Sequence, residues 1–210
     1  MKENLTELVF ILDKSGSMSG LEADTIGGYN ALLAQNREAE GDAVVSTVMF
    51  DSSVRVVHDR VPIAEVQPLG PKDYVPGGCT ALLDAVGGAI RYHERVQKIL
   101  PEEYRPARTL FCITTDGMEN SSCRYTYHQV KSMISAAKKR GWEFLFLAAN
   151  IDVEAEADRL GIDRDCAVAY EATPDGCAMA MEEIRCASAA VRGGRRVSER
   201  HACESCAITT

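Results

Sequence analysis

Continuous apolar runs that stop abruptly at small polar residues alternate along this chain with stretches of helical period. Leu8-Val9-Phe10-Ile11-Leu12 ends at Asp13 and predicts a buried strand over 7–12 feeding a tight loop. Leu21, Ile26, Tyr29, Leu32 and Leu33 recur at helical spacing, so 21–40 reads as a helix with one face in the core. Gly27-Gly28 weakens that helix and permits close approach of a neighbouring element. Residues 43–50, rich in β-branched side chains, predict a second strand. Only Asp51-Ser52-Ser53 separates it from the partly alternating run 54–58. So short a link fits a hairpin and hence an antiparallel edge strand. Pro62, Pro68, Pro71 and Pro76 make 61–76 irregular.

Further on, an apolar stripe predicts a helix over 80–97, followed by a strand over 108–115, a helix over 125–140 and a strand over 142–149. Lys138, Lys139 and Arg140 suit the end of the second of these helices, and Gly141 closes it. A short helix over 152–160, a short strand over 166–170 and a helix over 174–192 complete the pattern. Strands alternating with helices predict an α/β fold: a doubly wound, Rossmann-like, mostly parallel six-stranded sheet with one antiparallel edge strand and helices on both faces. If the strand order is 3-2-1-4-5-6, the switch point lies between the strands ending at Leu12 and Thr115. Ligands of such sheets sit there, outside the carboxyl ends of the strands. Asp13 and Asp116 follow those two strands directly, so the topology gives the two carboxylates a reason to meet.

Composition changes this picture little. At 210 residues one domain is expected, and 46% hydrophobic with 26% charged residues is ordinary for a globular protein. A formal charge of −8 argues against nucleic acid and against an anionic membrane as partners. No run approaches a membrane span, and the polar start Met1-Lys2-Glu3-Asn4 does not resemble a signal peptide, so a cytoplasmic location is expected. The eight cysteines then read as reduced thiols, with Cys112 in a core strand and Cys177 and Cys186 on a helix.

Asp13-Lys14-Ser15-Gly16-Ser17 offers one carboxylate and two hydroxyls at alternate positions, which in a curved loop lean toward one point. Convergent hard oxygens suit Mg²⁺ or Mn²⁺. The same residues also fit a bland role, with Ser17 or Ser19 capping the next helix. Two later positions tip the balance toward metal. Thr80 brings a hydroxyl to the mouth of a helix, and Asp116-Gly117 ends the second buried strand.

In these residues the chain resembles the von Willebrand factor type A (VWA) domain family, over about residues 5–192. That family's metal-ion-dependent adhesion site is built from D-x-S-x-S, a distant Thr and a further Asp, matched here by Asp13, Ser15, Ser17, Thr80 and Asp116. Over Gly77–Val86 and Thr115–Ser122 the chain looks most like small stand-alone bacterial VWA proteins, including those associated with tellurium resistance. The resemblance implies Ser15 and Ser17 as inner ligands, Thr80 and Asp116 as a switchable pair, and Asp13 acting through water. It implies a binding module and not an enzyme. Its Mg²⁺ or Mn²⁺ would take a carboxylate from a protein partner, in a bacterial stress or signalling assembly. A Lewis-acid hydrolase using the same site is the alternative, but no general base can be named for it.

Other constellations are weaker. There is no G-x-G-x-x-G after the first strand and no nucleotide-triphosphate loop, and Gly16-Ser17-Met18-Ser19-Gly20 has Met18 where a nucleophile elbow needs serine. His58, His93, His128 and His201 are scattered and read as surface or partly satisfied histidines. Glu119 and Asn120 fit either an exposed rim or an ordinary loop capping the helix from Tyr125, and Asp51 reads as a turn-former. Gly193-Gly194 breaks the last helix, so 193–210 is expected to be a mobile tail beyond a domain of residues 1–192. Within it, His201, Cys203 and Cys206 have the makings of a partial zinc site, with a metal-free tail the favoured reading.

Overall fold

The computed structural model describes residues 2–202. Six strands form one sheet in the order β3-β2-β1-β4-β5-β6. They are β1 (Lys2–Asp13), β2 (Asp42–Phe50), β3 (Val54–Pro62), β4 (Pro106–Thr115), β5 (Trp142–Ala148) and β6 (Ala167–Ala169). All neighbours pair in parallel except β2 and β3, the hairpin at one edge. The helices are α1 (Glu22–Glu38), α2 (Leu82–Ile99), α3 (Tyr127–Lys138), α4 (Val153–Leu160) and α5 (Pro174–Arg192). Helices α1 and α5 pack together on one face, while α2, α3 and α4 follow one another on the other.

β1 lies at the centre because Leu8 to Leu12 are buried on both faces. Around it Phe10 meets Tyr29 of α1 edge-on, and Phe111 stacks on Trp142 and Phe144. Gly28 is where α1 and α5 touch: a Cβ there would stand 2.7 Å from Met181 Cγ. No described helix is long and apolar enough to cross a membrane.

β3 runs four residues past the predicted 54–58 and reaches Pro62. An irregular register and the left-handed Arg60 (φ 51°) accommodate the extension. There the Arg60 guanidinium pairs with Glu7, buried in β1. A bulge and an inward-pointing charge are devices that discourage an edge strand from pairing with other chains.

Residues 197–200 depart from the expectation of a mobile tail over 193–210. Residues 197–199 form a 3₁₀ turn, and Val197 is fully buried with its N–H donating to Glu143 Oε2 at 3.0 Å. Arg200 is also buried, bonding Glu183 Oε2 at 2.6 Å and the Asp165 carbonyl at 2.7 Å. One apolar side chain and one guanidinium suffice to dock this turn, with no helical stripe needed. Cys203 and Cys206 lie outside the described residues.

Candidate metal centre

Asp13 ends β1 and Asp116 follows β4, so the adjacency of the two central strands delivers both carboxylates to one end of the sheet. Both are buried. Asp13 is fully engaged by the protein: Oδ1 accepts the Ser15 N–H at 2.7 Å and Oδ2 the Thr115 hydroxyl at 2.6 Å. Burial pushes the Asp13 carboxyl above its ordinary pKa, against the lowering effect of those hydrogen bonds. Ser15 and Ser17 Oγ lie 3.1 Å apart, and the Ser17 hydroxyl donates to Asp116 Oδ1 at 2.6 Å. Asp116 Oδ2 is buried without a hydrogen-bond partner among the described residues.

Thr80 is buried one residue ahead of the α2 cap, Ala81. Its backbone is clamped to the Asp116 loop by two bonds: Thr80 N–H to Asn120 Oδ1 at 2.8 Å, and Asn120 N–H to the Thr80 carbonyl at 3.0 Å. Thr80 Oγ1 and Ser17 Oγ both face Gly117, each 3.7 Å from where a Cβ would stand. All five oxygen-bearing residues expected from the sequence therefore meet in one cluster of loops. Neither Ser17 nor Ser19 caps α1, whose cap position is Leu21 with no side-chain bond, so the bland alternative for the serines does not hold.

The surrounding loops are tied to one another by hydrogen bonds. Tyr74 donates to the Asp13 carbonyl at 2.5 Å. Gly16 N–H bonds the Gly78 carbonyl, and Gly77 N–H that of Lys14. Gly78 has φ +71°, and a Cβ on it would fall 2.7 Å from Ser52 Oγ, so glycine is required there. Asp51 forms its expected turn by accepting from Ser53 N–H and Oγ, and it also pairs with Lys14.

Sequence reasoning missed the residues that brace the Asp116 loop against α2. Asp84 is buried and accepts N–H bonds from Cys123, Arg124 and Tyr125. Glu119 accepts from Leu83, Ser121 and Ser122 N–H, so it caps α2; α3 has its own capping box in Thr126 and Gln129. The signal was present: an acidic residue in a first helical turn beside a polar run seeks N–H donors. Of the histidines, His58 and His93 are buried, the partly satisfied alternative of the expectation, His58 beside Thr47 Oγ1 at 3.0 Å and His93 Nδ1 3.1 Å from Glu7. None of the six described cysteines forms a disulfide; Cys112 is buried in β4 and Cys177 and Cys186 lie on α5, as expected, the latter two also buried.

An oxygen set of two carboxylates and three hydroxyls fits a hard divalent cation. The observation that carries the fit is Asp116 Oδ2, a buried carboxylate oxygen with no hydrogen-bond partner among the described residues. Among the described residues no group of three or more His, Cys, Asp and Glu is arranged to hold a metal ion.

No family model matches the sequence, and no curated protein matches it. Solved structures do. Proximal thread matrix protein 1 of the mussel byssus has a TM-score of 0.59 at 14% identity over 87% of this chain and 46% of its own. The manganese-loaded TRAP protein of Plasmodium vivax gives 0.56 at 16%, over 85% of this chain and 72% of its own. The vWF domain of the pilus tip protein Mfa5 from Porphyromonas gingivalis gives 0.62 at 12%, over 87% and 94%. The chain thus spans less than half the length of the mussel protein. At these identities the likeness concerns the fold, and that fold is the Rossmann-like fold of von Willebrand factor type A domains.

Proposed function

We propose that this protein is a metal-dependent protein-binding module and not an enzyme. Ser15, Ser17, Thr80 and Asp116 hold a divalent cation, Mg²⁺ or Mn²⁺, with Asp13 behind them. The reading rests on the buried Asp116 Oδ2, which has no hydrogen-bond partner among the described residues. Asp13 has both oxygens occupied by Ser15 N–H and Thr115, which suits an anchor that orients the serines and contacts the ion through water. Among proteins of similar fold, one is manganese-loaded and one carries zinc in its MIDAS motif, which supports a divalent ion here.

The ion supplies Lewis acidity at a loop rim. Hydroxyl ligands leave its charge incompletely neutralised, so a carboxylate from a partner protein is its natural remaining ligand. The likeness of Gly77–Val86 and Thr115–Ser122 to small stand-alone bacterial VWA proteins supports a cytoplasmic partner in a stress or signalling assembly. Calorimetric titration with Mg²⁺ and Mn²⁺ tests the site. One binding event, lost in Asp116→Ala, is expected, and equal affinity in that variant would refute it. Partner capture from lysate should fail in EDTA and return with added Mg²⁺.

A further inference from the structure

On the sheet face opposite α1 and α5, a groove of about 580 Å³ runs between the edge strand β3 and α2, ending at Arg124 and Tyr125. This volume is in the range of small-molecule sites. Val48, Val54, Val56, Ala89 and Tyr92 give it apolar walls. Three arginines, Arg91, Arg95 and Arg124, line it as well. All three are exposed, and none makes an ion pair with a described residue. The one carboxylate in the lining, Asp59, accepts the Tyr92 hydroxyl at 2.6 and 2.8 Å. The groove is thus locally cationic on a chain of net charge −8.

Gly87-Gly88 inside α2 supplies an independent observation. Glycine destabilises a helix interior relative to alanine, so each needs a reason. Gly87 has one: a Cβ there would fall 2.6 Å from the Tyr125 ring. Gly88 has no packing reason, since a Cβ there meets nothing within 4 Å. Its missing side chain leaves the groove open.

We propose that this groove binds a small amphipathic anion. The apolar body lies over Gly88 and Ala89 between Val54, Val56 and Tyr92, and the acidic head group meets the arginines. Charge complementarity selects the anion, and the apolar walls select a ligand with a hydrocarbon or aromatic body over a bare phosphate.

The test uses the full chain and the dye 8-anilino-1-naphthalenesulfonate as probe, with dodecanoate and neutral dodecanol as competitors. One saturable site with blue-shifted emission is expected, weakened by added salt and displaced by dodecanoate but not by dodecanol. Gly88→Leu, which fills the groove, and Arg91→Glu with Arg95→Glu, which reverses its charge, should each weaken the dye by about tenfold or more. Asp13→Ala should leave it unchanged, separating this groove from the metal centre. If Gly88→Leu does not fold by circular dichroism, the exposed arginine pair decides alone. Unchanged dye affinity in the arginine variant, or equal displacement by dodecanol, would overturn the proposal. Displacement by an acidic Glu-Leu repeat peptide and not by dodecanoate would overturn it in favour of a peptide ligand.

Discussion

The Ser17 hydroxyl donates to Asp116 Oδ1 at 2.6 Å, tying the loop after β1 to the end of β4 across 99 residues of sequence. The second oxygen of the same carboxylate is buried and has no hydrogen-bond partner among the described residues. This half-satisfied state separates Asp116 from Asp13, whose two oxygens both have protein donors.

The two aspartates should therefore respond differently to amidation. Asp116→Asn keeps an acceptor for Ser17 but removes the charge that faces the ion. Asp13→Asn removes an orienting partner, a loss worth roughly 10–100-fold in metal affinity. Calorimetry with Mn²⁺ should show a larger loss for Asp116→Asn. A larger loss for Asp13→Asn would reverse the two roles.

Thr80→Ala should separate ion from partner. The clamp between Thr80 and Asn120 runs through the Thr80 backbone, so the loop survives loss of the hydroxyl. Cation affinity should be largely kept while partner capture in Mg²⁺ is lost. A variant that still captures the partner would remove Thr80 from the ligand-ready arrangement.

Asp84→Ala should cost stability. It leaves three backbone N–H groups of the 123–125 loop without their buried carboxylate. Loss of such a network costs roughly 2–4 kcal/mol, or about 5–15 °C in Tm for a chain of this size. Scanning calorimetry measures it, and a change under 2 °C would mean that other donors or water replace the carboxylate.

The mostly parallel sheet, the hairpin edge and the meeting of Asp13 with Asp116 were legible in the sequence, whereas the strand order entered it only as a condition and the five-residue set only with the family resemblance. Apolar runs such as Leu8–Leu12 and Leu110–Ile113 mark central strands, and a strand that ends in Asp fixes where its carboxylate emerges. What was not legible depends on tertiary partners. The extension of β3 needs the Arg60–Glu7 pair, which joins residues 53 positions apart in sequence. The roles of Asp84 and Glu119 need the loop that folds back over α2, and hydrophobic period says nothing about backbone N–H accounting. Val197 and Arg200 dock as single side chains, too few to form a pattern.

That last miss leads to a prediction about the chain end. A chain ending at Arg192 loses the fully buried Val197 and the Arg200–Glu183 ion pair. Burial of a valine alone contributes roughly 1.5–3 kcal/mol, so Tm should fall by about 5–10 °C. Val197→Asp in the full chain should reproduce most of the loss. If both melt with the parent protein, the docked turn contributes nothing to stability.

The buried pair of Glu7 and His93 should make stability depend on pH. Burial, reinforced by the Arg60 cation, pushes the His93 pKa down to about 3. Glu7, 3.1 Å from Nδ1, would favour the imidazolium, but Arg60 already pairs with that carboxylate, so desolvation prevails. The folded pKa thus lies below the ordinary value of about 6.5, and in falling pH the unfolded chain takes up the proton first. The stabilising effect of neutral His93 is complete above about pH 6.5 and is lost progressively as pH drops toward 3. The maximal slope for one proton is about 1.4 kcal/mol per pH unit, or about 2 kcal/mol between pH 6.5 and 5. Urea unfolding at pH 7 and pH 5 should show this loss in the parent protein and a smaller one in His93→Gln, which cannot take up the proton. Equal losses in the two proteins would mean that His93 titrates alike in the folded and unfolded chain, its attraction to Glu7 offsetting its burial, and a smaller loss in the parent would mean that the attraction prevails.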